Sequence, residues 1–373
     1  MVKRLIAVGG AALVLAAPAG AAVPTVNARA FYIVDAKTGD VLAQKNATMR
    51  LPIASITKLM TVLVTLQKDP SLASTVTVTH DASAVGESTI NLRAGERISV
   101  RDLLEGALVQ SANDAADALA DEFGPGERAF VARMNATARA LGLSGTHFAR
   151  PDGLDAPGHV STARDVTRLA ERVMRFPTVR GMVRQRVAAI SGGRTLHTWN
   201  DLLGQFRGLV GVKTGHTGAA GWCQVAEVKR DGLDVYATIL GSPTRGQRNA
   251  DLAALLRWAF AVERPAWVIA PHRVYVRIPT AYGRQAVALV ARKGITRPVR
   301  IDLPLRERVV APTAATLPVK RGTVLGEVRV YSGKQLVARE PLVASQSVSR
   351  PGAFGRLGFY TKRTFSHIGG WFT

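Results

Sequence analysis

The sequence predicts an α+β protein: an antiparallel sheet covered by helices, then a small all-β domain and a C-terminal amphipathic helix. Three observations carry this. Strand-like runs within residues 28–44 and 209–240 bracket a largely helical middle, short Val-rich runs broken by Pro and Gly follow Glu263-Arg264-Pro265, and aromatic residues recur at helical steps after Pro351. With 373 residues, 47% apolar and 20% charged, the chain can close a core and is long enough for two domains. Its single cysteine, Cys223, excludes an intramolecular disulfide and a Cys-rich metal site.

Met1-Val2-Lys3-Arg4 is a short basic head, residues 5–17 are apolar, and Pro18-Ala19-Gly20-Ala21-Ala22 offers the small side chains of a cleavage site. Residues 1–22 therefore read as a secretory signal peptide, with an uncleaved anchor as the alternative. Export bears on the charge. The 49 Lys and Arg against 27 Asp and Glu give +22, which in an exported chain points to anionic lipid or an acidic wall polymer rather than nucleic acid. Residues 262–373 hold 19 basic and 5 acidic residues, so +14 of the excess is C-terminal.

The first domain is expected over residues 23–262. Strands at 29–36 and 41–44 flank the turn-prone Lys37-Thr38-Gly39-Asp40, a hairpin signal. Pro52 precedes a helix over 54–67, where Ile56, Leu59, Met60, Leu63 and Leu66 share one face. Helices follow at 100–109, 115–123, 127–141 and 162–175, then strands at 209–214, 221–229 and 233–240, the last two joined by Arg230-Asp231-Gly232. A helix over 246–262 closes the domain. Residues 263–349 predict a β-sandwich-like domain with strands at 274–278, 286–291, 299–303 and 324–331.

Ser55-Ile56-Thr57-Lys58 places a hydroxyl and an amine three residues apart at a helix start, stacked on one face. A serine needs a base to become a nucleophile, and a lysine serves if burial and positive neighbours lower its pKa. Alone the pair is weak, since an N-cap serine beside a solvated lysine has the same spacing. Two further groups strengthen it. Ser111-Ala112-Asn113 falls in the break between two helices, and Lys213-Thr214-Gly215 closes an apolar strand before His216-Thr217-Gly218. The glycine lets a substrate backbone approach the strand edge, while Lys213 and Thr214 offer a charge and a hydroxyl to a carboxylate. The earlier copy, Lys37-Thr38-Gly39, ends no apolar strand and reads as a hairpin turn.

In this order, Ser-x-x-Lys, Ser-x-Asn and Lys-Thr-Gly resemble the signature of penicillin-binding proteins and serine β-lactamases. The stretches Pro52 through Thr61, Gln110 through Ala116, Asp152-Gly153-Leu154-Asp155 and Gly211 through Thr217 sharpen this to the low-molecular-mass D-alanyl-D-alanine carboxypeptidases. The resemblance is clear over about residues 28–260 and implies a β-lactamase/transpeptidase-like domain without metal or cofactor. It also implies roles: Ser55 as the acylated nucleophile, Lys58 as its base, Ser111 as a relay to the leaving amine, and Asn113 as a holder of the peptide amide and the lysines. Backbone N–H groups of Ser55 and His216 would form the oxyanion hole, each donor contributing about 3 to 4 kcal/mol in comparable enzymes. Lys213, Thr214, Gly215 and Arg248 would bind the substrate's C-terminal end, although an arginine at Arg248 is equally a solvated helix-end residue. Gly153 and Leu154 would edge the cleft, and Cys223 would pack in its strand. Ala112 stands where glycine is common, a methyl that would narrow the leaving-group side.

The implied reaction removes the terminal D-alanine from peptidoglycan stem peptides, with β-lactam antibiotics as covalent inhibitors. An endopeptidase on D-alanyl crosslinks, a serine β-lactamase and a non-catalytic wall or membrane-binding protein are the alternatives; the Glu-x-x-Asn element of class A β-lactamases is not seen. Over residues 350–373, Phe354, Leu357, Tyr360, Phe365, Ile368, Trp371 and Phe372 form an aromatic and aliphatic face opposite Arg356, Lys362, Arg363 and His367. That pattern suits a helix lying in a membrane interface. The expected location is the outer face of the cytoplasmic membrane.

Overall fold

The computed structural model describes residues 5–8, 12–13, 22–124, 126–282 and 284–354. They fall into two compact units, residues 22–261 and the remainder.

The first unit is built on a five-stranded antiparallel sheet. Its strands are β1 (Ala30–Asp35), β2 (Val41–Lys45), β3 (Leu209–Thr217), β4 (Gly221–Arg230) and β5 (Leu233–Ser242), in the spatial order β2-β1-β5-β4-β3. The β1–β2 hairpin forms where its turn signal stands. Asp35 accepts the N–H groups of Lys37 and Thr38 at 2.7 Å each, and Gly39 supplies the left-handed φ of 77° that ends the turn. The β4–β5 hairpin turns at Asp231-Gly232, both at positive φ.

Helix α1 (Lys58–Lys68) is buried from Lys58 to Leu66 and follows a 3-10 turn, Ala54–Thr57. Around it pack α2 (Asn113–Phe123), α3 (Glu127–Ala140) and α4 (Ala163–Val173). Helix α4 also lies on β1 and β5, where the Thr167 and Thr238 hydroxyls meet at 2.7 Å. A helix inside a shell of other elements needs no polar face, which is why the apolar positions of α1 exceed one stripe. Helix α5 (Arg245–Val262) closes the unit.

The helix expected over 100–109 divides in two. Its α-helical part ends at Glu105, and Gly106–Gln110 continues as a π-turn closed by Ser111 in the left-handed region, φ 68°. The wider turn is what brings Ser111 out of the helix and onto the site.

The second unit contains β6 (Glu263–Ile269), β7 (Val274–Ile278), β8 (Val287–Ala291), β9 (Ile295–Arg300), β10 (Leu305–Pro312), β11 (Val324–Ser332) and β12 (Gln335–Ala344). The main sheet runs β10-β11-β12-β8-β7, and Leu5–Val8 and Ala12–Leu13 pair with the outer edge of β10. The ribbon β6–β9 shares an apolar core with it through Val268, Ile269 and Val299. The strand expected at 299–303 lies earlier, because Pro298 and Val299 pair with β6 while residues 301–303 form the following turn. Of the helix expected over 350–373, residues beyond Phe354 lie outside the described residues.

Candidate active site

The turn that carries Ser55 is clamped by two glycines. Ala54 has a left-handed φ of 49°, uncommon for alanine. A Cβ on Gly153 would stand 2.2 Å from the Ala54 carbonyl oxygen, and one on Gly215 would stand 2.8 Å from the Ile53 carbonyl oxygen and 3.1 Å from the Ser55 nitrogen. The end of β3 and the loop at Gly153 thus press on the same strained turn. Ser55 is no helix cap, since neither the 3-10 turn nor α1 is closed by a side-chain cap.

Lys58, the first residue of α1, is wholly buried beneath Ser55. Its Nζ donates to Ser55 Oγ at 2.9 Å, to Asn113 Oδ1 at 2.6 Å and to the Asp152 carbonyl at 2.6 Å. The last two atoms only accept, whereas a hydroxyl can reverse its bond. When Lys58 loses a proton, its two remaining N–H bonds stay on Asn113 and Asp152 and its lone pair is aimed at Ser55 Oγ. Burial favours that neutral form and lowers the Lys58 pKa to about 8, opposed by Asp152, Asp117, Asp114 and Glu87.

Asn113 opens α2, with its own N–H on the Ser88 carbonyl at 2.7 Å and its Nδ2 on the Gly86 carbonyl at 2.9 Å. Asp114 secures the same loop by accepting the N–H groups of Ile90 and Leu92 at 3.0–3.1 Å. Across the site Lys213 Nζ donates to Ser111 Oγ at 2.7 Å and to the Thr214 carbonyl at 2.9 Å. Ser111 Oγ accepts from the Lys213 Nζ and so keeps its own proton available to the cleft. Burial holds the Lys213 pKa well below the ordinary value, and the charges of Lys58 and Arg248 lower it further.

Ser55, Ser111, Asn113, Thr214, Gly215, His216 and Arg248 line one cleft of about 250 Å³, with Lys58 and Lys213 in its floor. All nine sequence-predicted residues therefore meet. Arg248 is not a solvated helix-end residue. It is 1% exposed, 3.3 Å from Asp201 Oδ2, bonded to Asn249 Oδ1 at 3.1 and 2.7 Å, and placed over the Trp222 ring. His216 is exposed and stacks on Trp222, ring centroids 4.0 Å apart.

Two expectations change. The Ala112 methyl is fully buried in the apolar core, so it does not narrow the cleft. Gly153 supports the Ser55 turn from behind and lines a separate hollow with Pro52, Ala54 and His159. Glu87, Ser88, Trp199 and Trp222 line the cleft without any sequence signal, because loops and chain-distant strands deliver them. Cys223 is buried in β4, its pKa raised to about 11 by that burial.

Such a set can move a proton from a hydroxyl to a buried amine, shelter an acyl group on that hydroxyl, and hold a carboxylate near Thr214 and Arg248. Comparison with known proteins points the same way. The family model described as D-alanyl-D-alanine carboxypeptidase matches residues 17–244. The D-alanyl-D-alanine carboxypeptidase DacC of Escherichia coli is 31% identical, covering 99% of this chain and 98% of its own length. The crystal structure of D-alanyl-D-alanine carboxypeptidase DacD from Francisella tularensis superposes with a TM-score of 0.68 at 26% identity, covering 90% of this chain and 96% of that one. That of penicillin binding protein 6B from Escherichia coli gives 0.67 at 30%, covering 88% and 98%.

Proposed function

Because the chain belongs to the D-alanyl-D-alanine carboxypeptidase family, we propose that its cleft releases the terminal D-alanine of peptidoglycan stem peptides through an acyl-enzyme on Ser55. It is a serine-type peptidase acting on peptidoglycan, and β-lactams are ligands of its cleft. The observation that carries the residue assignment is the 2.9 Å contact of Lys58 Nζ with Ser55 Oγ, with the other bonds of that amine on obligate acceptors.

Neutral Lys58 takes the Ser55 proton as Oγ attacks the penultimate D-alanine carbonyl. The N–H groups of Ser55 and His216 receive the negative charge that develops on the carbonyl oxygen. Asn113 Nδ2 and the edge of β3 hold the donor peptide, while Thr214, Lys213 and Arg248 hold the terminal carboxylate. As the C–N bond breaks, Ser111 gives its proton to the leaving amine and is resupplied from Lys213. Lys58 then gives the proton it took from Ser55 to solvent and Lys213 regains one from solvent; water attacks the ester with Lys58, neutral again, as base, and as the ester breaks Lys58 returns that proton to Ser55 Oγ. A β-lactam enters the first half of the cycle, but its leaving amine stays tethered and the acyl-enzyme persists.

Residues 1–22 act in this reading as a cleaved export signal, whose removal takes the strands Leu5–Val8 and Ala12–Leu13 with it. Residues 350–373 hold the enzyme on the outer face of the membrane as a peripheral helix. No helix among the described residues is long and apolar enough to cross a membrane.

The test is covalent labelling by a fluorescent penicillin, together with product analysis on a monomeric pentapeptide and a crosslinked dimer. Wild type should label at one site and release D-alanine from the monomer, and Ser55→Ala should do neither. Labelling that persists in Ser55→Ala removes the nucleophile assignment. Cleavage of the dimer alone replaces the carboxypeptidase reading by the endopeptidase one.

A further inference from the structure

A second hollow of about 360 Å³ adjoins the cleft and shares Glu87, Ser88 and Trp199 with it; Gln110, His197 and Arg245 complete much of its wall. Trp199 stands at the junction. Its indole N–H donates to the Gln110 carbonyl at 2.9 Å, and Arg245 lies over its ring, 5.3 Å from the centroid. Arg245 begins α5 and Arg248 follows one turn later, and both reach Asp201. The hollow therefore opens from the cleft beside Trp199, and Arg245 in its wall stands one helical turn from Arg248 in the cleft. In the reading above, Arg248 marks where the substrate's terminal carboxylate and the rest of the leaving residue lie.

The walls differ in sign. On the α5 side two guanidinium groups share the single carboxylate of Asp201, leaving a net positive wall that suits an anion. Glu87 lines both the cleft and the hollow, exposed and held at a left-handed φ of 65°. It has no hydrogen bond or ion pair among the described residues, yet its charge reaches Lys58. Glu87 is thus an acid open to solvent at the rim of a cleft in a chain of charge +22. A ligand with a carboxylate at one end and a cation farther out would satisfy both walls.

We infer that this hollow is a leaving-residue subsite, which takes side chains longer than the methyl of D-alanine and favours, through Glu87, those that end in an ammonium group. It rests on the carboxypeptidase reading and widens its substrate class to stem peptides that terminate in a basic D-amino acid. The α-carboxylate stays on Thr214 and Arg248, and the chain carrying the cation passes Trp199 toward Glu87.

The experiment uses the full chain and peptides identical up to the penultimate D-alanine, ending in D-alanine, D-lysine or D-norleucine. A further peptide ends in D-alanine and carries its lysine on the acyl side. Release of the terminal residue is measured as kcat/KM. Wild type should prefer D-lysine over D-norleucine about five-fold, the scale of one solvent-exposed ion pair. That ratio should fall to about one in Glu87→Gln, and also for wild type in about 0.5 M salt, where exposed pairs are screened. The acyl-side lysine should show no dependence on Glu87. A D-lysine to D-norleucine ratio unchanged by Glu87→Gln overturns the subsite while D-alanine release upholds the parent reading. A Glu87 dependence confined to the acyl-side lysine also overturns it. Failure to release any terminal residue overturns both.

Discussion

The Lys58 amine lies 2.9 Å from the Ser55 hydroxyl, and complete burial brings its pKa down to about 8. Only the neutral amine can accept the proton, so acylation should rise with pH through that value. The second-order rate of penicillin acylation should climb roughly tenfold per unit on the acid side and level off above about pH 8. Lys58→Ala should lose about 10²–10⁴ of it. A wild-type rate flat from about pH 6 to 9 would remove Lys58 as the base.

Arg248 presents a buried guanidinium whose pKa burial lowers to about 10, still charged at neutrality. Its role should appear only for substrates with a free terminal carboxylate. Arg248→Gln should lower kcat/KM for a D-alanyl-D-alanine peptide by about 10- to 100-fold, the range of a charge-assisted hydrogen bond. The corresponding C-terminal amide should be slow with wild type and little altered by the substitution. Equal losses on acid and amide would mean that Arg248 only holds α5 in place.

The chemistry was more legible in the sequence than its support. Ser55 and Lys58 are one turn apart at a helix start, so local period alone stacks them, and the apolar run before Lys213 marks its strand, although that strand continues past Lys213 to Thr217. The clamp on Ala54 is different in kind. It depends on Gly153 and Gly215, distant in sequence, and neither shows a pattern that announces contact with a backbone carbonyl. Similarly, β10 is hidden by Arg306, Glu307 and Arg308, whose charges break the alternation expected of a strand, and Pro265 disguises β6 as a linker. The π-turn before Ser111 has the same apolar content as an α-helix, so hydrophobic spacing could not separate the two.

Asp117 sits one turn along α2 from Asn113, with a buried Oδ1 that has no hydrogen-bond partner. Burial first, and then the charge of Asp152, push its carboxyl up to about 8, against Lys58 and Arg150. In the folded protein it keeps a proton that the unfolded chain releases near 3.8. Between those values the native state binds more protons, so this group makes stability fall as pH rises from about 4 to 8. Asp117→Asn has no proton to lose. Its Tm should approach that of wild type near pH 4 and exceed it by a growing margin up to about pH 8. A Tm difference that does not vary with pH would contradict the raised carboxyl.

At helical spacing the sequence of residues 350–373 would set aromatic and aliphatic side chains opposite basic ones, and near an anionic surface each basic residue contributes about 1 kcal/mol. The full chain should therefore sediment with anionic vesicles, and a chain truncated before Arg350 should stay in solution with its penicillin acylation intact. Vesicle binding by the truncated chain in high salt would place the anchor elsewhere.

Gly153 offers the sharpest test of the clamp. It has a φ of 88°, and its nearest would-be contacts are the backbone oxygen and carbon of Ala54, which no rotamer change can move aside. Gly158 serves as the control, with a φ of 75° but only a side-chain atom, 3.8 Å away, near its would-be Cβ. Alanine at Gly158 meets backbone strain alone and should cost about 1 to 2 kcal/mol without changing acylation. Gly153→Ala adds a collision to the same strain and should cost about 2 to 4 kcal/mol. The turn bearing Ser55 must then shift, and a displacement of about 1 Å can slow a positioned reaction by about 10²-fold. Melting temperature and penicillin acylation measured on both variants separate the two effects. If Gly153→Ala acylates at the wild-type rate, the Ser55 turn does not depend on the close approach of that loop.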